Sequence, residues 1–236
     1  MKTTRLKGVT VTFDPSGALI LPELRVMVVS DLHFEKGSSY ARKGVLLPPY
    51  DTTATLRRLA HAVERYSPQK IISLGDAFHD EGAEDRMSPD DMAHLSVLCG
   101  ATEWVWVFGN HDPHPPRRFK GRACYKFEIG GLVFVHEPGD VSDWSVAGHL
   151  HPCAVALGEG RRLRRPCFIT DGTRLVMPPF GAFTGGLNVL DPAVGAVFPG
   201  AFDVYMMGRE RVYQVPRRAL RAEGRSFPTS QVEAIK

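Results

Sequence analysis

Long hydrophobic runs are absent from this sequence of 236 residues, which excludes a membrane-spanning helix of about 20 apolar residues. The opening segment, Met1–Leu6, carries basic side chains but lacks the apolar stretch that follows them in a signal peptide. We therefore expect a cytoplasmic protein without a membrane partner. Cysteine is scarce and shows no C-x-x-C spacing, so we interpret the four residues as reduced, buried thiols: Cys99, Cys124, Cys153 and Cys167.

A strong excess of charge of either sign is also missing. The formal net charge is +3, which permits a nucleic-acid partner but does not demand one. We find no repeat, no low-complexity tract and no linker, and the length suits one domain. We therefore expect a single domain over 1–236, in which the basic and then polar segment 217–236 forms a flexible tail.

Local patterns in the first hundred residues predict a β-hairpin and two helices. Val9–Phe13 and Ala18–Leu21 flank a turn that contains proline and glycine, as a hairpin requires. One apolar face predicts a helix over Asp51–Tyr66. A second helix is predicted over Ser88–Cys99, with Ser88 as its N-cap and Gly100 after its end.

The chain after Tyr125 is rich in β-strand patterns. The paired residues Gly130-Gly131 and Asp171-Gly172 are typical of tight hairpin turns. Together with the helices, these segments predict an α/β fold in which a pair of mixed sheets has helices outside it. The predicted strands are Tyr125–Ile129, Leu132–Val135, Cys167–Thr170, Arg174–Val176 and Val212–Val215.

Short apolar runs that end on metal-ligand residues are the most informative feature of the sequence. A run of four or five apolar residues that stops at glycine or a polar residue is typical of a buried strand. Open α/β sheets bind their ligands at the carboxyl ends of such strands, so residues far apart in sequence can converge there. Five runs end this way, at Asp31-Leu32-His33, Gly75-Asp76, Gly109-Asn110-His111-Asp112, His136 and Gly148-His149-Leu150-His151.

The spacing of these residues suits metal binding. Asp31 and His33 are two residues apart, which at a strand end places both side chains on one face, and His149 and His151 repeat this spacing. Asp76 offers a carboxylate that can bridge two ions. Ligands of nitrogen and oxygen without thiolate suit manganese, iron, zinc or nickel rather than a structural zinc. Two such ions can stabilise both the attacking and the leaving oxygen of a phosphoryl transfer.

The ordered blocks D-x-H, G-D, G-N-H-D, H and G-H-x-H, which run from Asp31 to His151, resemble the calcineurin-like metallophosphoesterase superfamily. The resemblance implies a four-layer αββα sandwich and in-line attack of a metal-bridging hydroxide on phosphorus. It implies that His111 contacts the phosphate and protonates the leaving oxygen, and that Asp112 orients that imidazole. It implies one metal held by Asp31, His33, Asp76 and His151, and a second held by Asp76, Asn110, His136 and His149.

The sequence departs from the family pattern after His136, where Glu137-Pro138 stands in place of the glycine that many members have. Near the motifs, His79 and His114 either contact substrate or are ordinary surface or core histidines. Trp104 and Trp106 alternate in a strand, which favours core packing over stacking on bases.

Basic clusters lie near the motifs and have two open interpretations. They either track a nucleic-acid backbone or belong to solvated surfaces. Arg161 and Arg162 are the substrate-binding candidates among them. The clusters are Arg161–Arg165, Arg117 with Arg118, Lys120 and Arg122, and Arg42-Lys43.

The text around the motifs resembles the bacterial ligase-associated DNA damage response endonuclease subfamily. The resemblance extends from Asp31-Leu32-His33-Phe34-Glu35-Lys36-Gly37 to the segment Pro178–Asn188. It implies a phosphodiesterase and DNA endonuclease that uses two divalent ions, with Mn²⁺ expected and Fe, Zn, Ni or Co as alternatives. It also implies a role in DNA repair with a DNA ligase, a helicase and an exonuclease.

Two other functions remain open on the sequence alone. The same two-metal site could hydrolyse a small phosphodiester, a phosphomonoester or a nucleotide, with DNA cleavage only adventitious. A catalytically idle scaffold is the alternative outside the enzymes, and the complete set of ligands argues against it. Exposed apolar residues could also form a homodimer face.

Overall fold

Two β-sheets lie face to face, with helices on both outer surfaces, in the computed structural model, which describes residues 2–114, 116–139, 144–158 and 161–223. This arrangement confirms the predicted four-layer α/β sandwich. No described helix is long and apolar enough to cross a membrane. The strands are β1 Lys2–Leu6, β2 Val9–Phe13, β3 Leu19–Leu21, β4 Val26–Val29, β5 Lys70–Leu74, β6 Glu103–Val107, β7 Arg122–Cys124, β8 Phe127–Ile129, β9 Leu132–Phe134, β10 Ser145–Ala147, β11 Pro152–Gly158, β12 Arg161–Thr170, β13 Arg174–Val176, β14 Leu187–Asn188, β15 Asp203–Met207 and β16 Val212–Val215. The helices are α1 Lys36–Arg42, α2 Asp51–Tyr66, α3 Ala83–Arg86, α4 Pro89–Ala101 and α5 Pro192–Val197.

The first sheet has seven described strands in the order of the sequence, from β1 to β7. Strands β1 to β4 pair antiparallel, whereas β4, β5, β6 and β7 pair parallel. The parallel strands β4 to β6 therefore end at the same edge, and the loops that follow them lie side by side. Those loops carry three of the five predicted ligand blocks.

The second sheet continues the same edge. Its described strands run in the order β14-β11-β12-β13-β10-β9-β8, and β15 pairs with β12 while β16 pairs with β15. Strand β10 pairs parallel with both β9 and β13, so the residues after β9 and β10 emerge together. These residues include the two remaining ligand blocks.

Alternation of side chains along the central strands explains how three apolar layers form. In β4, Met27 faces α2 and α4, whereas Val26 and Val28 face the second sheet. Both faces of the strand are buried, so it appears in the sequence as a continuous apolar run. A third cluster fills the space between the second sheet and α5, where Val194 is fully buried. Trp104 and Trp106 pack in the core at 1% and 3% exposure, as the sequence favoured.

Several predicted elements are confirmed by the structure. The hairpin of β2 and β3 forms, α2 spans the predicted residues, and Ser88 Oγ accepts a hydrogen bond from Asp91 N at 3.1 Å. The second predicted helix ends later than expected, because Gly100 continues α4 instead of following it. Within the expected tail, residues 217–223 pack against the body through the buried Leu220, which bridges to Ala156 of β11. Residues 224–236 lie outside the described part of the chain.

Candidate metal centre

The candidate ligands lie in loops directly after the strands, and the loop backbone itself places them. Strand β4 ends at Val29, so Asp31 and His33 do not sit on a strand face, which corrects the reason given for their spacing. Both adopt left-handed backbone conformations, with φ of 52° and 45°. His149 and His151 repeat this, with φ of 68° and 45°. Non-glycine residues rarely adopt such values, and where they cluster they often mark functional sites.

One group of candidate ligands surrounds His33 and includes the carboxylate of Asp31. His33 Nε2 lies 3.4 Å from His151 Nε2, and His151 Nε2 lies 3.0 Å from Asp31 Oδ1. Potential ligand atoms of all three residues fall within 4.8 Å of one another. His33 is held in place by its backbone N–H, which donates to Asp76 O at 2.9 Å. The first loop is thus fixed to the loop that follows β5.

A second group surrounds the amide oxygen of Asn110. That oxygen lies 2.9 Å from His136 Nε2 and 3.0 Å from His149 Nδ1. The two imidazole nitrogens are 3.2 Å apart. Asp76 lies between the groups, since its Oδ2 is 3.9 Å from His33 Nε2 and 3.5 Å from His136 Nε2. The seven predicted metal ligands therefore converge in two groups that share one carboxylate.

The hydrogen bonding of His136 tests whether this arrangement fits a cation. His136 Nδ1 lies 2.9 Å from the carbonyl oxygen of Leu74 and donates its proton there. In the neutral ring Nε2 then carries a lone pair that points at Asn110 Oδ1, which is also an acceptor. A cation bound by both atoms would satisfy these two lone pairs. For metal–nitrogen bonds of about 2.0–2.1 Å, neighbouring ligand atoms are expected about 2.9–3.4 Å apart. The distances of 2.9, 3.0, 3.2 and 3.4 Å between candidate ligand atoms agree with this range.

Two glycines allow the loops to approach each other this closely. A Cβ on Gly109 would lie 2.2 Å from both the backbone nitrogen and Oδ1 of Asp76. A Cβ on Gly148 would lie 1.9 Å from Ser30 Oγ. Real Cβ atoms do not make such contacts, so any side chain at either position would force the ligand loops apart.

The electrostatic environment favours the ionised carboxylate of Asp31 and the neutral imidazole of His33, which are the forms that bind metal ions. Burial acts to raise the pKa of Asp31, but the imidazoles of His151, His136 and His33 outweigh it and hold that pKa below its usual range. Ser30 Oγ also donates to Asp31 Oδ2 at 2.5 Å. Burial keeps the pKa of His33 well below its usual value, although Asp31 opposes the shift. A carboxylate anion and a neutral imidazole are both competent ligands near neutral pH.

Two further histidines, His79 and His111, adjoin the first group. The rings of His33 and His111 are 5.2 Å apart between centroids, and His79 Nδ1 lies 3.3 Å from His33 Nδ1. Burial lowers the pKa of His79 to about 4, with His111 and Lys36 acting in the same direction. His111 is exposed, and its Nδ1 lies 3.0 Å from the carbonyl oxygen of His79. The structure thus places an accessible imidazole beside the ligands.

The position of Asp112 corrects the role that the sequence analysis gave it. Its carboxylate accepts backbone N–H bonds from Asp76 at 2.9 Å, Ala77 at 2.7 Å, Phe78 at 3.1 Å and Gly109 at 3.2 Å. It makes no described hydrogen bond to the imidazole next to it. The backbone carbonyl of His79 orients that ring instead. Asp112 therefore joins the loop after β5 to the loop after β6.

The remaining substrate-binding candidates make no described hydrogen bond or ion pair with the candidate ligands. His114 is 77% exposed in its side chain and lies 3.9 Å from Glu81. Arg161 and Arg162 lie at the far end of the hairpin of β11 and β12, where Arg162 is paired opposite Leu157. Leu157 lies six positions after His151 in the sequence, which is about 20 Å of extended chain.

The sequence analysis missed Ser30 and Gly181 as contributors to the site. Ser30 holds Asp31 through its hydroxyl, and a serine at a strand end gives no signal of that contact. Gly181 donates its N–H to the carbonyl oxygen of Asp31 at 3.0 Å, so the segment after β13 supports the first loop.

Known protein families and solved structures include several that are similar to this chain. The family described as calcineurin-like phosphoesterase matches residues 24–170. The nuclease MPE of Pseudomonas putida is 28% identical, with a TM-score of 0.68 over 90% of this chain and 99% of that one. Yfce, a phosphoesterase from E. coli, is 14% identical, with a TM-score of 0.40 over 80% of this chain and 97% of that one. No curated protein matches the sequence significantly.

Proposed function

This chain belongs to the calcineurin-like phosphoesterase family and is a hydrolase of phosphoester bonds, and on that premise we propose that it is a binuclear metal-dependent phosphodiesterase that cleaves DNA as an endonuclease. The position of the Asp76 carboxylate is the observation that supports this proposal most directly. It lies within 4 Å of an imidazole nitrogen in each ligand group. A single structural metal would not need a carboxylate shared between two complete groups.

Each group offers four ligands to an ion. When bound, two divalent ions there would activate water as a nucleophile and neutralise charge on the phosphate. The close spacing of the two ligand groups would suit a phosphoryl group, which presents two oxygens that need stabilisation at once. The first group is Asp31, His33, Asp76 and His151, and the second is Asp76, Asn110, His136 and His149.

His111 supplies the proton-transfer step in this proposal. Its Nδ1 is occupied by the carbonyl oxygen of His79, which leaves Nε2 for substrate. In the imidazolium form, Nε2–H donates to the oxygen that leaves phosphorus, and the ring becomes neutral as that oxygen takes the proton. The exposure of the ring allows a bulky alcohol to leave. A positioned general acid of this kind contributes about 10²–10⁴-fold to the rate.

A nucleic-acid substrate is supported by the likeness to the nuclease of Pseudomonas putida. DNA in particular extends the proposal on the subfamily resemblance. Mn²⁺ as the ion, a place in DNA repair, and association with a DNA ligase, a helicase and an exonuclease extend the proposal on the subfamily resemblance. Copurification of those enzymes with the tagged protein from its own cells would test the association.

Covalently closed DNA circles, single-stranded and duplex, test the proposed activity directly. A circle has no end, so only an endonuclease can open it. We expect the wild-type protein with Mn²⁺ to linearise circles, and His33→Ala and His136→Ala to lose turnover while staying folded. Mg²⁺, Zn²⁺ and Ni²⁺ in parallel reactions identify the ion that supports turnover.

Chromogenic monoesters and diesters distinguish the competing substrates. If the circles stay intact while a small phosphodiester is hydrolysed rapidly, the substrate is a small phosphodiester and not DNA. A strong preference for monoesters would contradict the phosphodiesterase proposal as a whole. Full activity of both alanine variants would contradict the metal centre.

A further inference from the structure

A cleft of about 410 Å³ adjoins the candidate metal centre on the side of α1. Its volume lies within the range of small-ligand sites, which is about 300–1,000 Å³. His111 belongs both to this cleft and to the proposed catalytic group, so a group attached to the scissile phosphate can extend into it. The lining residues are Ser39, Arg42, Lys43, His79, Asp80 and His111.

The charges in the cleft are not balanced. Asp80 is already neutralised, because its carboxylate accepts hydrogen bonds from Arg86 Nη2 at 2.7 Å and from Gly82 N at 3.0 Å. Arg42 and Lys43 are exposed, and no carboxylate in the described part of the chain forms an ion pair with either. The cleft therefore presents two free cations beside one paired acid.

The other basic clusters differ from this pair in their surroundings. Arg117 and Arg118 lie 3.0 Å and 2.5 Å from the two oxygens of Asp85, which offsets their charge. Arg164 lines a small pocket together with the candidate ligand His151, and its charge is paired with Glu223. Of the clusters noted in the sequence, only the pair at the end of α1 is both unpaired and next to His111.

We propose that this cleft is a subsite for the phosphate that neighbours the scissile phosphate in a DNA strand, and that Arg42 and Lys43 bind it. This inference rests on the proposed function and gives a reason why the enzyme would select a DNA strand over a small diester. A small diester fills the metal centre alone, whereas a strand also gains the contact with the two cations. The subsite thus favours polynucleotides through KM and not through the chemical step.

The salt dependence of binding provides an independent signature. Each phosphate contact with single-stranded DNA contributes about 0.7 to the slope of log affinity against log salt concentration. Loss of the subsite contact lowers that slope by about this amount. The measurement needs no turnover, so fluorescence anisotropy with a labelled strand in the presence of EDTA suffices.

The double variant Arg42→Ala/Lys43→Ala tests the subsite. The substrates are the dinucleotide TpT, which has no neighbouring phosphate, and a single-stranded oligothymidylate, which has many. We expect kcat/KM for the longer strand to fall about tenfold through KM, with TpT hydrolysis changed less than about twofold. The swapped variant Arg42→Lys/Lys43→Arg keeps both charges and should keep the preference.

The control variant is Arg5→Ala/Arg211→Ala, which removes the same charge from exposed positions on β1 and in the hairpin of β15 and β16. It should leave both kcat/KM values and the salt slope near wild type. Equal losses in the control and test variants would overturn the subsite in favour of general electrostatic attraction. So would an unchanged KM and salt slope in the folded test variant. Wild-type protein that hydrolyses TpT but neither cleaves nor binds oligothymidylate would overturn the proposed DNA substrate itself.

Discussion

Replacing Asp112 with asparagine separates two roles for this residue, orienting His111 or holding the metal loops together. Each carboxylate oxygen accepts two backbone N–H bonds, Oδ1 from Asp76 and Gly109, and Oδ2 from Ala77 and Phe78. Asparagine keeps one side-chain oxygen as an acceptor and replaces the other with an NH2 group, which donates hydrogen bonds. Two N–H groups therefore lose their partner whichever way the amide points.

The expected cost follows from those two lost acceptors. A buried N–H without a partner costs about 1–3 kcal/mol, so Asp112→Asn should lower the free energy of unfolding by about 2–6 kcal/mol. In a chain of this size each 1 kcal/mol lowers Tm by roughly 2–4 °C. The shared ligand Asp76 also loses its support, and we expect metal affinity to fall by about 10–100-fold.

Thermal melts, competition with a fluorescent chelator and a pH profile of kcat measure these effects. The control is Asp85→Asn, an exposed carboxylate paired with arginines on the surface, which should change stability by less than about 0.5 kcal/mol. An unchanged Tm and metal affinity with an altered pH profile would refute the loop-holding role. That result would return Asp112 to the role of orienting His111.

Three further predictions concern single residues. His111→Ala should lower kcat for DNA by about 10²–10⁴-fold without changing metal content, whereas a leaving group that needs no proton should lose much less; equal losses for both leaving groups would contradict the general-acid role. Gly109→Ala should abolish turnover and weaken metal binding, measured by chelator competition, because the new Cβ would collide with Asp76; wild-type affinity would contradict the close contact. Asp171 lies in the turn after β12, where hydrogen bonds from the backbone and guanidinium of Arg174 outweigh burial and hold the pKa of its carboxyl below its usual value. The ionised carboxylate therefore stabilises the fold above pH 4, and this contribution is lost as pH falls through the lower pKa of the folded state. Asp171→Asn should therefore cost about 1–2 kcal/mol in urea denaturation at pH 7, a deficit that shrinks toward pH 3; a constant deficit would contradict the linkage.

The sequence was sufficient to predict the layers of the fold and the convergence of the candidate metal ligands. Buried strands such as β5 and β6 are short and mostly apolar, and glycine follows each of them within two residues. Parallel strands place their carboxyl ends together, so the residues that follow them converge whatever their separation along the chain. The fold and the list of candidate ligands needed only this logic and a family resemblance.

The backbone conformations that orient the ligand side chains could not be predicted from the spacing of these residues in the sequence. The left-handed φ values of Asp31 and His33 are imposed by hydrogen bonds to the neighbouring loop, including Asp31 N to Gly75 O at 3.3 Å. Helix α1 was missed for a similar reason. Its first turn contains Gly37, Ser38 and Ser39, which are poor helix formers, and Gly37 N is held by the carboxylate of Asp51 at 2.8 Å.

Contacts between distant segments decide the roles that sequence assigned wrongly or left open. Asp112 follows His111 in the chain, yet three of its four described backbone partners belong to the loop after β5. Arg161 is near the last ligands in sequence, yet the hairpin of β11 and β12 carries it away from them. Neither outcome depends on a local pattern, because each follows from how strands pair and where a hairpin points.

The most direct test of the two-ion centre is anomalous diffraction from crystals of the protein grown with Mn²⁺. We expect two peaks, one on each side of the Asp76 carboxylate and about 3.5–4 Å apart, with His33 and His136 at different ions. Asp76→Ala crystals treated in the same way should lose at least one peak. A single peak in the wild-type protein at saturating Mn²⁺, or two peaks with neither in contact with Asp76, would contradict the shared-carboxylate centre.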